Sequence, residues 1–283
     1  RCFIHIFKIL REKNISLIHT HLTKCSFLFG LVNLLFKKPM VCTLHNEIIH
    51  SRLNSFEKRF YPIFYFILSY LCSGIIVVSK YLKAHIVKVA KVNSKKITVI
   101  YNGIEIGENG EFMNKPDNNK RFTIGYIGRL SDEKGVKYLI ESLHVLKKID
   151  FECFIVGDGP LRIELEQLVR HYELSNKVRL LGFCNDPKPL MQQMDVIVVP
   201  SVNETFSLTI VESFLLKKVV IASNVGGIPE LVIDGQTGFL FPVKDSSTLA
   251  EKILYVYNNK KEAQVIAMNG YEYFKKHFTS KIM

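Results

Sequence analysis

Two carboxylates follow one short apolar run in the second half of the chain. Glu204 and Glu212 lie eight residues apart, just after the run at residues 196–199. A strand that ends in a loop and continues as a helix would place Glu204 in the loop and Glu212 in about the second helical turn. Ligands of open α/β sheets bind at the carboxyl ends of strands, so both carboxylates could reach one polyhydroxylated ligand. The structural alternative is that Glu204 caps the helix and Glu212 is a solvated surface charge.

A glycine loop with two cations precedes another predicted helix. Residues 125–135 read Gly-Tyr-Ile-Gly-Arg-Leu-Ser-Asp-Glu-Lys-Gly, so that Arg129 and Lys134 follow Gly128. Backbone N–H groups at a helix start, together with Arg and Lys side chains, are typical of a phosphate or diphosphate site. The alternative is a solvated loop with an Arg–Asp ion pair.

Two further glycine turns follow predicted strands. Gly157 and Gly159 occur in Val-Gly-Asp-Gly-Pro, and residues 226–230 read Gly-Gly-Ile-Pro-Glu. Glycines let a ligand approach the backbone closely, and N–H groups in such turns can meet an anion. Each motif could equally be only a structural turn.

Histidines end two strands predicted in the first half. His21 closes His-Thr-His at residues 19–21, and His45 follows the apolar run at residues 40–44. On neighbouring strands the two side chains could face one site and donate to a sugar hydroxyl or a phosphate, or transfer a proton. A third convincing metal ligand is missing, so we expect no metal site.

Composition indicates a large globular chain. It has 283 residues, of which 48% are apolar, which is enough for a sizeable core in two domains. Its six cysteines show no CxxC spacing, so neither a zinc site nor a disulfide framework is indicated, and we expect thiols of a reducing compartment.

The positive charge is concentrated in the first half. Residues 1–120 contain 18 Lys and Arg against 7 Asp and Glu, whereas residues 121–283 contain 20 against 19. This imbalance favours an anionic partner, either a phosphorylated substrate or an acidic membrane surface. We expect no nucleic-acid partner, because no nucleic-acid-binding motif accompanies the charge.

Apolar runs and helical periodicities alternate along the chain, which predicts parallel sheets. Residues 60–78 are almost wholly apolar and about long enough to cross a bilayer, but Pro62 and Gly74 interrupt them. We interpret this stretch as helix, turn and buried strand. The predicted strands are residues 16–20, 40–44, 75–78, 97–101, 122–127, 151–156, 178–181, 196–199 and 219–222. The predicted helices are an amphipathic helix around Phe3 and Leu10, residues 27–36, 56–71, 80–90, 136–148, 161–172, 209–216, 245–257 and 261–276, with a helix-like segment at 231–233.

A polar stretch rich in turn formers divides this pattern. We therefore predict a first Rossmann-like domain at residues 1–106, a linker at 107–120 and a second Rossmann-like domain at 121–283.

These motifs, in this order, resemble the retaining, GT-B-fold glycosyltransferases of the "glycosyltransferases group 1" family. The resemblance rests on residues 128–135, 156–160, Pro200-Ser201 with Glu204 and Glu212, and 226–230, preceded by residues 19–21, Val78-Ser79 and 99–104. It implies an α/β protein with two Rossmann-like domains facing across a cleft and a nucleoside-diphosphate-sugar held mainly by the second. Members of this family open with an additional strand and glycine-rich loop, so we expect a fragment truncated at both ends, with an incomplete first domain.

The resemblance also implies roles for individual residues. Arg129 and Lys134 would bind the donor diphosphate, Glu204 the sugar hydroxyls and Glu212 the ribose. The turns at Gly128, Gly157 and Gly159 would lie beside the donor. Phe183 would lie near the base, the segment Phe206, Ser207 and Leu208 would lie against sugar and phosphate, and His21 or His45 would contact the donor sugar or the acceptor.

The expected reaction is transfer of a hexose to a glycan or lipid-linked acceptor in cell-surface polysaccharide synthesis, with no cofactor or metal. The basic first half suggests a cytoplasmic protein with peripheral contact at the membrane face. Two alternatives stay open. One is an inactive fragment that binds nucleotide or glycan without turnover, and the other is a related GT-B phosphorylase or epimerase.

Overall fold

The computed structural model describes residues 2–46, 55–106 and 121–283. The chain divides into two compact units, Arg1–Tyr101 and Asn102–Met283. Ile104 belongs to the second unit because it pairs with Thr279 near the carboxyl end of the chain. The linker predicted at residues 107–120 lies outside the described residues.

The first unit is a parallel sheet with the strand order β1-β2-β3-β4. Its elements are α1 (Cys2–Glu12), β1 (Ile18–His21), α2 (Thr23–Asn33), β2 (Met40–Leu44), α3 (Ser55–Leu71), β3 (Gly74–Val77), α4 (Lys80–Ala90) and β4 (Ile97–Val99). The strands are apolar because helices cover parallel sheets, and Met40, Ile75 and Val77 are buried. Ser79 begins α4, since its hydroxyl accepts a hydrogen bond from the backbone N–H of Leu82 at 3.2 Å.

The apolar stretch after residue 60 is a helix, a turn and a strand, as predicted. Helix α3 ends at Leu71 and β3 begins at Gly74. Across the described ranges, no helix has both the length and the apolarity needed to cross a bilayer.

The second unit is a six-stranded parallel sheet with the order β10-β9-β8-β5-β6-β7. Its strands are β5 (Phe122–Ile127), β6 (Phe151–Val156), β7 (Val178–Gly182), β8 (Val196–Val199), β9 (Val219–Ser223) and β10 (Phe239–Phe241). Its helices are α5 (Val136–Val145), α6 (Arg162–His171), α7 (Lys188–Gln192), α8 (Leu208–Leu215), α9 (Ser246–Asn258) and α10 (Lys260–His277).

The strand order of this sheet reverses at its centre. From β5 the chain first adds β6 and β7 on one side, and then returns to add β8, β9 and β10 on the other. Strands β5 and β8 are therefore neighbours although two other strands separate them in the chain. Such a switch point opens a crevice at the carboxyl edge, where open α/β sheets bind ligands.

Three predicted elements need correction, and two observed elements were not predicted. The helix-like segment at 231–233 is wrong: the turn is a 3-10 helix at Ile228–Glu230, after which Ile233 N–H bonds to the Thr237 hydroxyl at 2.9 Å. Helix α2 starts at Thr23 and stops at Asn33, whose side chain bonds to the backbone of Lys38. Helix α5 ends at Val145 rather than at 148, and α7 and β10 were not predicted because each is only a few residues long.

Candidate functional site

The loops at the carboxyl edge of the second sheet hold one another through backbone contacts. The N–H of Leu130, in the loop after β5, donates to the carbonyl of Asp158 in the loop after β6 at 3.0 Å. On the other side, the N–H of Val202 donates to the carbonyl of Glu133 at 2.8 Å. The loop after β8 is in turn tied to the loop after β9, because Gly227 N–H donates to the Glu204 carbonyl at 2.9 Å. The motifs at residues 128–135, 156–160, 200–204 and 226–230 are therefore connected to one another along this edge of the sheet. We call these four loops the rim.

Lys134 and Glu204 join the loops that follow the neighbouring strands β5 and β8. The ammonium nitrogen of Lys134 lies 2.5 Å from Glu204 Oε2, and the Ser201 hydroxyl lies 3.4 Å from the same oxygen. Only 10% of the Glu204 side chain is exposed, against 31% for Lys134. The Arg–Asp ion pair of the structural alternative is not formed by Arg129 among the described residues, and a Lys–Glu pair joins the two loops instead.

Glu204 does not cap the helix that follows it. Ser207 is the N-cap of α8, and its hydroxyl accepts a hydrogen bond from the backbone N–H of Ile210 at 3.4 Å. Because the first N–H groups of a helix have no partner within the helix, the start of α8 presents backbone donors beside the Glu204 loop. Phe206 is buried against Phe278 at a ring separation of 6.1 Å, whereas Leu208 is half exposed.

Arg129 lies at the same rim with its side chain exposed. Its carbonyl accepts a hydrogen bond from the buried hydroxyl of Tyr126 at 2.9 Å, which fixes the backbone of the loop. In the part of the chain that the structure describes, its guanidinium makes no hydrogen bond or ion pair. The loop thus holds Arg129 with all its donors available to a ligand.

Burial raises the pKa of the Tyr126 hydroxyl, and the nearby carboxylates of Glu204 and Glu133 raise it further. The residue therefore stays a neutral hydrogen-bond donor under all ordinary conditions. It belongs to the support of the site rather than to its chemistry.

The glycines of the rim are required by chain packing. A Cβ at Gly157, which has φ +134°, would overlap the carbonyl oxygen of Gly128. A Cβ at Gly159 would overlap the carbonyl oxygen of Leu130. Both glycines pack against the backbone of the Arg129 loop. This close contact between loops explains why neither position can carry a side chain.

Glu212 faces the loop after β7. It lies in the second turn of α8, as predicted, and is half-buried rather than fully solvated. Burial raises the pKa of its carboxyl, an effect that Lys188 opposes and Asp186 reinforces. Phe183 is in the same loop, 76% exposed, so an aromatic face and a carboxylate flank this end of the rim.

The histidines of the first unit form a separate cluster at the ends of β1 and β2. His21 Nδ1 lies 3.0 Å from His45 Nε2, and His19 Nε2 lies 2.8 Å from the Thr43 hydroxyl. His21 is exposed and His45 is half-buried. Burial lowers the pKa of His45, and the neighbouring His21 and His19 lower it further. One ring nitrogen of the His21–His45 pair must be unprotonated for the hydrogen bond to exist.

Several supporting residues were not predicted as site residues. Ser201 contacts Glu204, and the Ser223 hydroxyl in turn donates to the Ser201 carbonyl at 2.5 Å. Lys188 and Asp186 face Glu212 from a short helix and loop that carry no sequence signal. Within the described ranges, no group of three or more His, Cys, Asp or Glu side chains is arranged to hold a metal ion.

The chain has two Rossmann-like units with parallel sheets, and the second has a glycine-rich rim at its switch point. These features define a GT-B-like glycosyltransferase fold. Residues 109–273 match the family described as Glycosyl transferases group 1, and residues 1–108 match the one described as Glycosyltransferase Family 4. The chain belongs to the glycosyl transferases group 1 family.

Relatives and solved structures agree with this assignment. An uncharacterized glycosyltransferase of Methanocaldococcus jannaschii is 34% identical over 275 residues, which is 95% of this chain and 73% of the relative. In Escherichia coli, the UDP-Gal:alpha-D-GlcNAc-diphosphoundecaprenol alpha-1,3-galactosyltransferase is 26% identical over 274 residues, 92% of this chain and 71% of that enzyme. HepE of Anabaena, whose crystal structure contains UDP, has a TM-score of 0.84 at 24% identity, over 98% of this chain and 78% of that one.

Proposed function

We propose that this chain transfers a hexose, with retention of configuration, from a nucleoside-diphosphate donor to a glycan or lipid-linked acceptor in cell-surface polysaccharide synthesis. The observation that carries the proposal is the Lys134–Glu204 ion pair, which joins the loops after the neighbouring strands β5 and β8, with the exposed Arg129 in the same loop as Lys134. Two cations and one carboxylate suit a ligand with a charged diphosphate and a neutral sugar.

The donor diphosphate would be bound by Arg129 and Lys134. Arg129 can hold a phosphate with two parallel hydrogen bonds, and the Lys134 ammonium has donors left after its bond to Glu204. When the bond between the sugar and the diphosphate breaks, negative charge grows on the leaving phosphate. Cations fixed in place beforehand stabilise that charge without reorganisation.

The remaining parts of the donor would follow the rim. Glu204, held by Lys134, would accept hydrogen bonds from sugar hydroxyls, and the N–H groups at Ser207 and Leu208 would face sugar and phosphate. Glu212 would accept from the ribose hydroxyls, and Phe183 would lie against the base. HepE binds UDP and UDP-glucose, which supports a nucleotide-sugar donor for this chain as well.

The transfer step would need no carboxylate nucleophile. The bond from C1 of the sugar to the leaving phosphate oxygen breaks while the acceptor oxygen bonds to C1 on the same face, and the acceptor proton passes to the leaving phosphate. Glu204 suits an accepting role because its carboxylate is paired with an ammonium group. We propose no metal or cofactor, since Arg129 and Lys134 would supply the positive charge that the leaving diphosphate requires.

In the first unit, we propose His21 as the histidine that contacts substrate. Its ring is exposed, whereas His45 is half-buried and uses Nε2 to hold His21. A lipid diphosphate acceptor is supported by the Escherichia coli galactosyltransferase, whose name specifies a diphosphoundecaprenol acceptor. Such an acceptor would place the reaction at the cytoplasmic face of a membrane, in keeping with the basic first half.

Turnover of UDP-sugars with a diphosphopolyprenol acceptor tests the proposal. We expect product with retained anomeric configuration by NMR, and a loss of about a hundredfold in kcat for Glu204→Gln, which keeps the shape but weakens the hydrogen bonds to the sugar. Glu164→Gln, at an exposed side chain on α6, is the matched control and should leave kcat unchanged.

Three outcomes would overturn this assignment. Nucleotide binding without turnover would support the inactive-fragment alternative, and an inverted product would exclude the retaining step. A Glu204→Gln variant with normal kcat would remove Glu204 from the sugar site.

A further inference from the structure

Helix α3 is apolar on both of its faces. One face packs into the first unit, where Tyr65 and Leu68 are buried. On the other face, large apolar side chains are between 37% and 71% exposed. We define the outer stripe as the following five residues: Phe60, Ile63, Phe66, Ile67 and Tyr70. At helical spacing they fall within an arc of about 120°.

A helix that is apolar all round is normally covered on all sides or lies in contact with lipid. Monomeric proteins rarely expose a contiguous group of large apolar side chains unless the surface binds a partner. Two members of the stripe, Phe66 and Tyr70, also contact each other edge to face at 5.0 Å. These two rings form one apolar patch within the stripe.

Two flanking cations, Lys95 and Lys96, lie beside the stripe. At its carboxyl end, the Lys96 ammonium donates to the Ser69 carbonyl at 2.7 Å and lies 5.5 Å from the centre of the Tyr70 ring, with the exposed Lys95 beside it. Residues 1–101 contain 16 Lys and Arg but only 3 Asp and Glu.

We propose that the outer stripe of α3 inserts into the interface of an anionic lipid bilayer and that the flanking cations contact the lipid headgroups. Aromatic and aliphatic side chains beside lysines are typical of helices that lie in a membrane surface. Each cation near an anionic surface adds to the attraction. A second copy of the chain is a poorer partner for the stripe, because a symmetric contact would bring the same cations together.

Vesicle sedimentation tests this surface without any nucleotide, so its result is independent of the proposed donor site. The full chain is mixed with vesicles of phosphatidylcholine alone, or of equal parts phosphatidylcholine and phosphatidylglycerol. We expect binding to the anionic vesicles and a loss of about tenfold or more in the partition coefficient for the triple variant Ile63→Ser, Phe66→Ser, Ile67→Ser.

The matched control removes exposed apolar side chains from the second unit, through Ile163→Ser, Val265→Ser and Met268→Ser. It should partition like the unchanged chain. Lys95→Glu should weaken binding to anionic vesicles, whereas Lys281→Glu should not. If the triple variant does not fold, Tyr70→Ser replaces it in the test. This side chain is 71% exposed, so the variant should fold, and it should also bind anionic vesicles more weakly.

The proposal is overturned if the unchanged chain does not bind anionic vesicles. It is equally overturned if the folded stripe variants bind these vesicles as well as the control variant of the second unit does. It is also overturned if sedimentation velocity without lipid shows a dimer that the stripe variants dissociate, because the stripe would then be a contact between copies.

Discussion

The ion pair between Lys134 and Glu204 joins two loops that are 70 residues apart in the chain. Lys134 holds the carboxylate in place and keeps donors for a further ligand, so the pair serves both the structure and the proposed site. Since the Glu204 side chain is almost fully buried, removal of Lys134 would leave a carboxylate with little solvent and no cation.

A double-mutant cycle measures this coupling. We expect Lys134→Met and Glu204→Gln each to lower the free energy of unfolding, and the double variant to lose less than the sum, by about 1–3 kcal/mol. The exposed pair Lys275–Glu272, changed to Met and Gln, is the control, with an expected coupling of about 0.5 kcal/mol or less. Chemical denaturation gives all the values, and additive effects at Lys134 and Glu204 would show that the pair is not formed in solution.

The sequence supplied the residues of this pair but not the pairing itself. Glu204 and Lys134 stand out because a carboxylate and a cation follow predicted strands. Their contact depends on β5 and β8 being neighbours, which in turn depends on the reversal of strand order in the sheet. No local pattern encodes that reversal. Lys188 and Asp186 escaped prediction for the same reason, because they reach Glu212 only through the fold.

At the scale of elements, the loop after β9 supports the loop that holds Glu204. Gly226 has φ +58°, and a Cβ there would overlap the carbonyl oxygen of Glu204. Gly235 has a similar φ of +70°, but a Cβ there would meet no atom within 4 Å. Both glycines thus have a positive φ, but only Gly226 lies too close to another backbone atom to accept a side chain.

Alanine substitution at these two glycines separates the two effects. We expect Gly235→Ala to cost about 1 kcal/mol of stability, which is the usual penalty for a side chain in the left-handed region. Gly226→Ala should cost about 1–3 kcal/mol more, because the Glu204 loop must move. Thermal unfolding of both variants provides the comparison. Equal losses of stability would mean that the Glu204 loop moves aside with no free-energy penalty.

Most elements were predictable because burial leaves a clear pattern in the sequence. Strands covered by helices are continuous apolar runs, as at β2, β5, β6 and β8, whose bounds were predicted correctly. The segment at 231–233 was misinterpreted because its helical hydrogen bonding is a single turn: the N–H groups of Leu231 and Val232 bond to the Ile228 carbonyl, and the pattern stops there. Apolar composition alone does not distinguish a buried turn from a short helix.

At the scale of the whole molecule, charge and chemistry are distributed unequally. The first unit carries most of the excess positive charge, the outer stripe and the histidine cluster. The second unit carries the rim with Arg129, Lys134 and Glu204, and little net charge. This division fits our proposal that one unit meets an anionic acceptor surface while the other binds the donor.

Calorimetric titration with UDP, GDP and ADP tests the donor site most directly, using the unchanged chain, Arg129→Ala and the control Arg170→Ala. Arg129 is the best probe because its exposed side chain has no partner among the described residues, so its removal should leave the fold unchanged. We predict that one diphosphate binds, that Arg129→Ala raises its Kd about tenfold or more, and that Arg170→Ala leaves it unchanged. Equal affinity in Arg129→Ala and the unchanged chain, or no binding of any of the three diphosphates, would contradict the account.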